Sequence, residues 1–335
     1  MTYRVAAVQA EPVWMDAQAT SEKTIDLIQQ AGRKDVDLLA FPETWIPGYP
    51  VFLWNMPVPA QVLFVRRYHQ NSLTVNGPEI TAVRRAARDN NVSVVLGFSE
   101  KDAGSLYMAQ VIIGPDGNVI LHRRKLKPTH AERTLFGESD GSGLKVVDTP
   151  VGRVGALNCW EHIQPLAKYA MYSQNEQIHV AGWPCLGIMG DHPTLGAEPT
   201  MAISRTYAIE GACFVITSSM VMSEEGAKVF PQPDGSSCML WSGGGGYARV
   251  LGPESGVRSE ILAPDEEGIA IADIDLDDIS LAKNVMDATG HYSRPDVARL
   301  LFDNRPRTPV VRPGDLDGGP LFPELGEITD DVPAV

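Results

Sequence analysis

VGRVGALNCWEHIQP, residues 151–165, runs from strand formers through a lone cysteine into a stretch that reads as the start of a helix. The first part predicts a strand over 151–159. EHIQPLAKYAMYSQNEQ (161–177) predicts the helix that follows, with Glu161 near the positive end of its dipole. A strand delivering directly into a helix is the repeating unit of layered α/β folds, not of separate all-α and all-β parts. It also leaves Cys159 at a junction where enzymes present nucleophiles, while a buried structural thiol fits the same place.

The alternation continues outward in both directions. YRVAAVQ (3–9) predicts a strand, and SEKTIDLIQQAGRK (21–34) a helix with Ile25, Ile28 and Ala31 on one face and Gly32 near its end. VDLLAFPET (36–44) predicts a buried strand that stops at Pro42, so Glu43 falls at its carboxyl end. PEITAVRRAARDNN (78–91) predicts a helix facing Ile80, Val83 and Ala87 inward and Arg84, Arg85 and Arg88 into solvent, leading into the strand VSVVLGFSE. QVIIGPDGNVILHRRK (110–125) has the alternation and Pro-Asp-Gly turn of a β-hairpin, and its second strand brings Lys125 near the far end. Downstream, IHVAGW, CFVITSS and EGIAIADIDL predict strands, PTMAISRTYAIEG a helix, and YARVLGPESG (247–256) a second hairpin. These units predict a single domain over 1–305. Residues 306–335, rich in proline, glycine and acid, read as a tail.

The formal net charge of -14 argues against nucleic acid or an anionic membrane surface as partner, since either is repelled by the mean field. The four cysteines, Cys159, Cys185, Cys213 and Cys238, form no CxxC pair and show no ligand spacing with histidine, so no metal is expected. His130 and Glu132 have no third ligand nearby in sequence, and His130 reads as a hydrogen-bonded supporting histidine. SGGGGYARV (242–250) lacks the trailing Gly-Lys-Ser/Thr of a phosphate loop and reads as a turn or a close backbone approach. The first residues lack the long apolar region of a signal peptide, and no window approaches about 18 uninterrupted apolar residues. A cytoplasmic protein with reduced thiols is expected.

Glu43, Lys125 and Cys159 thus fall at or just past the carboxyl ends of three separate predicted strands, where open α/β sheets place ligands. A thiolate is the reactive form of cysteine, a nearby ammonium lowers its pKa, and a carboxylate can take the thiol proton and later activate water. Lys127 shares the strand face of Lys125, so alternation does not separate the two.

FPETWIPGYP, HRRKLKPTHAERTLFGESDG and LNCWEHIQP resemble, in order, the motif blocks of the nitrilase branch of the carbon–nitrogen hydrolase superfamily. The likeness extends through KYAMYSQNEQIHVAGWP and GHYSRPDVARLLF and covers nearly all but the tail. It implies a four-layer α-β-β-α sandwich and a Glu-Lys-Cys triad of Glu43, Lys125 and Cys159. The lysine directly after the arginine pair is selected over Lys127, and Glu132 joins as an additional glutamate. It implies hydrolysis of an organic nitrile to acid and ammonia through a thioimidate and a thioester, with no cofactor and with the Trp160 backbone N–H stabilising developing charge. An amidase or a cyanide-degrading or amide-forming relative is the nearest rival, and a filament-forming assembly protein with a vestigial site is a rival of another class. Trp160, Tyr49 and Trp183 are candidate pocket walls, with core packing the alternative for each. His162 reads as a support of pocket shape ahead of a partner in a Cys–His dyad, because the triad already supplies a base. The family also implies dimers formed through the helix after the nucleophile and larger spirals built from them, with Tyr169, Met171 and Tyr172 suited to that face.

Overall fold

The first strand, Thr2–Ala10 (β1), shows how the layers arise. Val5 and Ala7 enter one apolar cluster and Ala6 and Val8 another, all of them buried, because successive side chains of a strand point to opposite faces. Such a strand must be covered twice. The computed structural model, which describes residues 1–189, 194–231, 234–235 and 243–307, provides both covers. In chain order the elements are α1 (Ala17–Gly32), β2 (Leu38–Ala40), α2 (Phe52–Asn55), α3 (Val58–Gln70), α4 (Pro78–Asn90), β3 (Ser93–Asp102), β4 (Ser105–Ile113) and β5 (Val119–Arg124). There follow β6 (Val147–Thr149), β7 (Gly152–Asn158), α5 (Pro165–Tyr172), β8 (Ile178–Gly182), α6 (Ala197–Gly211), β9 (Phe214–Met220), α7 (Glu224–Lys228), β10 (Arg249–Leu251), β11 (Gly268–Asp275) and α8 (Asp278–Val285).

The strands run in the order β5-β4-β3-β2-β1-β9-β8-β7-β6, with β11 antiparallel to β1 and β10 antiparallel to β9. The β1–β9 junction holds only the parallel pairs Gln9↔Ser219 and Ala10↔Met220. It therefore stitches two sheets at one corner and leaves their faces free to stack. Val5, Val95, Val154, Val180, Ile216 and Ala270 meet between the sheets. Ala6, Val94 and Leu96 face Ile28 of α1 and Ile80 and Val83 of α4. Leu157, Ala181 and Val215 face Ala167 and Met171 of α5 and Tyr207 and Ala208 of α6. Three apolar clusters between four layers make the α-β-β-α sandwich.

Several local expectations change. Arg84 is buried, not solvated, and its Nε donates to the Gly117 carbonyl at 2.9 Å, so α4 ties down the β4–β5 turn. The helix expected over 161–177 is split: a 3-10 turn spans Cys159–Ile163, and α5 begins afresh at Pro165, which has no N–H to continue the turn and suits a helix start. Met171 and Tyr172 pack inside the chain, and the apolar side chains left open nearby are Ile163 and Leu166. At 247–256 the tight turn forms, closed by Gly252 N–H on Gly256 O, but β10 pairs with β9 and reaches Val257 only through an isolated bridge from Leu251. Gly244 and Gly245 make the close backbone approach: a Cβ on Gly245 would stand 2.1 Å from the Gly187 nitrogen. Cys238 and nearly all of the expected tail lie outside the described residues. No helix among the described residues is long and apolar enough to cross a membrane.

Candidate active site

Each chemical group is delivered by the end of a strand. The β2 run stops at Pro42 and turns, which brings Glu43 inward with no exposed surface. A Cβ on Gly97 of β3 would lie 2.2 Å from the Pro42 carbonyl, so only glycine lets the neighbouring strand pass this turn. The β4–β5 hairpin carries on past β5, with Lys125 N–H donating to Met108 O at 2.7 Å, and buries the Lys125 side chain. Lys127 has left the ladder and pairs with Glu138 at the surface, which separates the two lysines that alternation could not. β7 ends at Asn158, and Cys159 enters the 3-10 turn at φ 47°, a left-handed conformation that costs a non-glycine residue of order 1–3 kcal/mol. Thr44 and His130, beside Glu43 and Glu132, share that conformation.

Lys125 Nζ donates to Glu43 Oε1 and to Glu132 Oε2, both at 2.8 Å. The two carboxylates are not equivalent. Glu132 spends both oxygens, since Oε1 accepts from the Tyr49 hydroxyl at 2.7 Å and Oε2 also accepts from Thr129 N–H at 2.6 Å. Glu43 Oε2 is buried with no partner among the described residues. Burial lifts the Glu43 carboxyl to about 8 against the pull of Lys125. Burial would lower Lys125, but the charges of Glu132 and Glu43 outweigh it and hold the ammonium charged. Cys159 lies in the same field: burial and Glu43 push its thiol up, while Lys125 and the Trp160 backbone N–H pull it down.

Cys159, Glu132, Tyr49, Trp160 and Trp183 line one pocket with Trp54, Leu186, Leu195 and Thr200. It offers about 40 Å³ to a water-sized group, room for roughly three waters or one small reacting group. Trp183 is buried and also lines the pocket, so both of its expected places hold together. His130 is not the hydrogen-bonded support expected; it is exposed and stacks on Trp54 at 5.2 Å between centroids. No cluster of metal-ligating side chains occurs among the described residues.

Three features escape the sequence reading. Trp54 donates from Nε1 to the Tyr49 hydroxyl at 2.9 Å and extends the wall; its place in a four-residue helix gives no periodic signal. Glu161, expected near a helix start, sits in the first turn of Cys159–Ile163, where it accepts from Asn158 N–H at 2.8 Å, from Leu126 N–H at 2.7 Å and, at both oxygens, from Arg123 Nη2. It clamps the end of β7 to the end of β5, the two strands that carry Cys159 and Lys125. His162 faces away from the thiol: its Nδ1 meets the Cys159 carbonyl at 2.6 Å and its Nε2 meets His179 Nε2 at 2.8 Å. It therefore supports the turn and forms no dyad with the sulfur.

The chain is 49% identical over 311 residues to an aliphatic nitrilase of Rhodococcus rhodochrous, covering 92% of this chain and 85% of the relative. It is 48% identical to a nitrilase of Pseudomonas syringae pv. syringae, covering 97% and 96%, and 47% identical to an arylacetonitrilase of Aspergillus kawachii, covering 89% and 90%. The solved carbon-nitrogen hydrolase of Helicobacter pylori shares the fold with a TM-score of 0.71 at 20% sequence identity, covering 88% of this chain and 97% of that one. Residues 4–284 match the carbon-nitrogen hydrolase family, and the chain belongs to that family.

Proposed function

We propose that this protein is a nitrilase, hydrolysing an organic nitrile to a carboxylic acid and ammonia with residues 1–305 as one catalytic unit and 306–335 as an appended tail. The observation that carries the chemistry is the buried ammonium of Lys125 held by two carboxyls: Glu43, with one oxygen unpartnered among the described residues, and Glu132, bonded at both oxygens and lining the same pocket as Cys159. The nitrilases named among the relatives favour a nitrile over an amide as substrate.

In this reading Glu43 is the base, because its Oε2 accepts no hydrogen bond among the described residues while both oxygens of Glu132 are engaged. Cys159 Sγ attacks the nitrile carbon, its proton passes by way of Glu43 to the nitrile nitrogen, and a thioimidate forms. Water activated by Glu43 adds to that carbon, ammonia leaves, and a thioester remains. A second water releases the acid and restores the thiol. Lys125 and the Trp160 N–H stabilise the charge that develops at each addition, while Glu132, braced by Tyr49, holds Lys125 in place. Trp160, Trp183, Tyr49 and Trp54 receive the substrate's apolar part. Self-association through α5 belongs to the same reading, with Ile163 just before the helix 49% exposed and Leu166 in its first turn 65% exposed, and the described free cysteines suit a reducing, cytoplasmic setting.

The test is ammonia release from a panel of aliphatic, aromatic and arylacetonitriles beside the matching amides, with Cys159→Ala as control. At least one nitrile is expected to outpace its amide, and the control to fall to background. Amides turned over as fast or faster would move the assignment to an amidase.

A further inference from the structure

Behind the carbonyl of the nucleophile lies a buried polar chain that the proposed chemistry does not use. From the Cys159 carbonyl it runs through His162 Nδ1 and Nε2 to His179 Nε2, and from His179 Nδ1 to Glu176 Oε1 at 2.7 Å. The Tyr207 hydroxyl donates to Glu176 Oε2 at 2.6 Å. His162, His179, Glu176 and Tyr207 are all at most 1% exposed. The space is shaped for it: a Cβ on Gly155 of β7 would fall 2.0 Å from Glu176 Oε1.

The direction of this chain follows from its ends. A carbonyl oxygen only accepts, so His162 Nδ1 carries a proton toward Cys159 O. In a neutral imidazole the other nitrogen then accepts, so His179 Nε2–H donates to it, and His179 Nδ1 in turn needs a donor. That donor is a protonated Glu176. Burial supports the assignment, raising the Glu176 carboxyl to about 8 against a partial counter-pull from Tyr207, and lowering both histidines. The other groups near the chain are the Tyr172 hydroxyl of α5, the Cys213 thiol before β9, and the Arg123–Glu161 pair beside the histidines.

The near end acts on the peptide that matters. In a planar trans peptide the C=O and N–H point in opposite directions, so fixing the Cys159 carbonyl also fixes the Trp160 N–H, which faces the Cys159 sulfur. We propose that Glu176 is a positioning residue for the nucleophile: carrying a proton, it orders the His179–His162 chain so that the Cys159–Trp160 peptide holds its N–H toward the reacting centre. The proposal rests on the nitrile-hydrolysis reading for its kinetic consequence and on the geometry alone for the proton.

The test compares E176Q, E176L and H162F with wild type. Glutamine reproduces the protonated carboxyl, with its amide N–H on His179 Nδ1 and its carbonyl under Tyr207, so E176Q is expected to keep kcat within about threefold. E176L and H162F are expected to lose kcat by about 10- to 100-fold, less than outright deletion of an oxyanion donor, with KM little changed. Binding of the substrate's aldehyde analogue, whose adduct places an oxyanion at that N–H, should weaken in parallel. Alkylation of Cys159 by iodoacetamide, which develops no oxyanion and feels the same N–H only through the thiol, should fall clearly less than kcat. H162F keeps a ring against Trp183 and serves if E176L does not fold.

The proton has its own readout. A carboxyl whose folded pKa is raised costs no stability below its unfolded value near 4.5 and progressively more as pH rises toward about 8. The melting midpoint of E176Q should therefore gain on wild type by about 4 °C or more between pH 5 and pH 8. E176Q as slow as E176L, full kcat in E176L and H162F, alkylation falling as far as kcat, or a flat midpoint difference would each overturn the proposal. Wild-type protein inert toward every nitrile would instead sink the function reading, and the aldehyde and melting measurements would still decide the role of Glu176.

Discussion

Lys125 is a cation whose position only two carboxyls justify. Replacing it with methionine keeps the volume but leaves Glu43 and Glu132 facing each other in a sealed pocket, and breaking a buried pair in this way costs about 3–5 kcal/mol. Lys125→Met is expected to show that loss in urea titrations at pH 8, and a smaller one at pH 5, where the carboxyls can take protons. Stability unchanged at both pH values would mean the ammonium is not the partner drawn here. Glu43 sets the pH dependence. A base must be ionised to accept a proton, and Glu43 is lifted to about 8, so kcat/KM should climb as pH rises toward that value, about tenfold per unit on the acid limb. A profile already flat from pH 5 would rule Glu43 out as the titrating base. The sequence reading reached both residues because strand ends and motif order are written in the chain. It could not see that Glu132 is bonded at both oxygens and Glu43 is not: the Thr129 N–H on Glu132 Oε2 is a local capping box, but the hydroxyl on Oε1 comes from Tyr49, 83 residues away, and no local pattern encodes it.

Among the elements, β3 is strapped to β5 across the intervening β4, outside the site, by Glu100, which takes Arg124 at 2.6 Å and His122 at 2.9 Å. Burial opposes ionisation there, but those hydrogen bonds win and hold Glu100 down to about 2. A depressed carboxyl gives stability that is fully present above its unfolded value near 4.5 and is lost as pH falls toward about 2. The window corresponds to about 3 kcal/mol, and Glu100→Gln should remove most of it, so that variant and wild type converge in chemical melts at low pH. A constant gap between them from pH 7 to pH 3 would contradict the strap. Arg84 and the split after Cys159 show why element faces were read imperfectly. Arg84 lies on the polar side of its helix by periodicity, and the Gly117 carbonyl from a distant turn is a partner that offsets the cost of burying it. Pro165 was visible in the sequence, but the turn before it is held by Glu161 reaching across to β5, a contact that no local pattern encodes.

At the scale of the whole molecule, α5 faces outward beyond its own core cluster, and Ile163 and Leu166 stand open there. If copies associate through this face, wild type should sediment as a dimer or larger, and Leu166→Asp should shift it to smaller species; a wild-type monomer at working concentration would refute the interface. The amino-acid order by itself determined the alternation of strands and helices and the placing of Glu43, Lys125 and Cys159 at strand ends, because hydrophobic period and proline punctuation are local properties of the chain. Only the tertiary structure decided that the two sheets join through two residue pairs and stack, which carboxyl keeps an unpartnered oxygen, and that His162 pairs with His179. Those outcomes depend on groups far apart in sequence competing for the same buried hydrogen bonds. That competition is settled by distance in space and by the cost of leaving a polar group unpaired away from water.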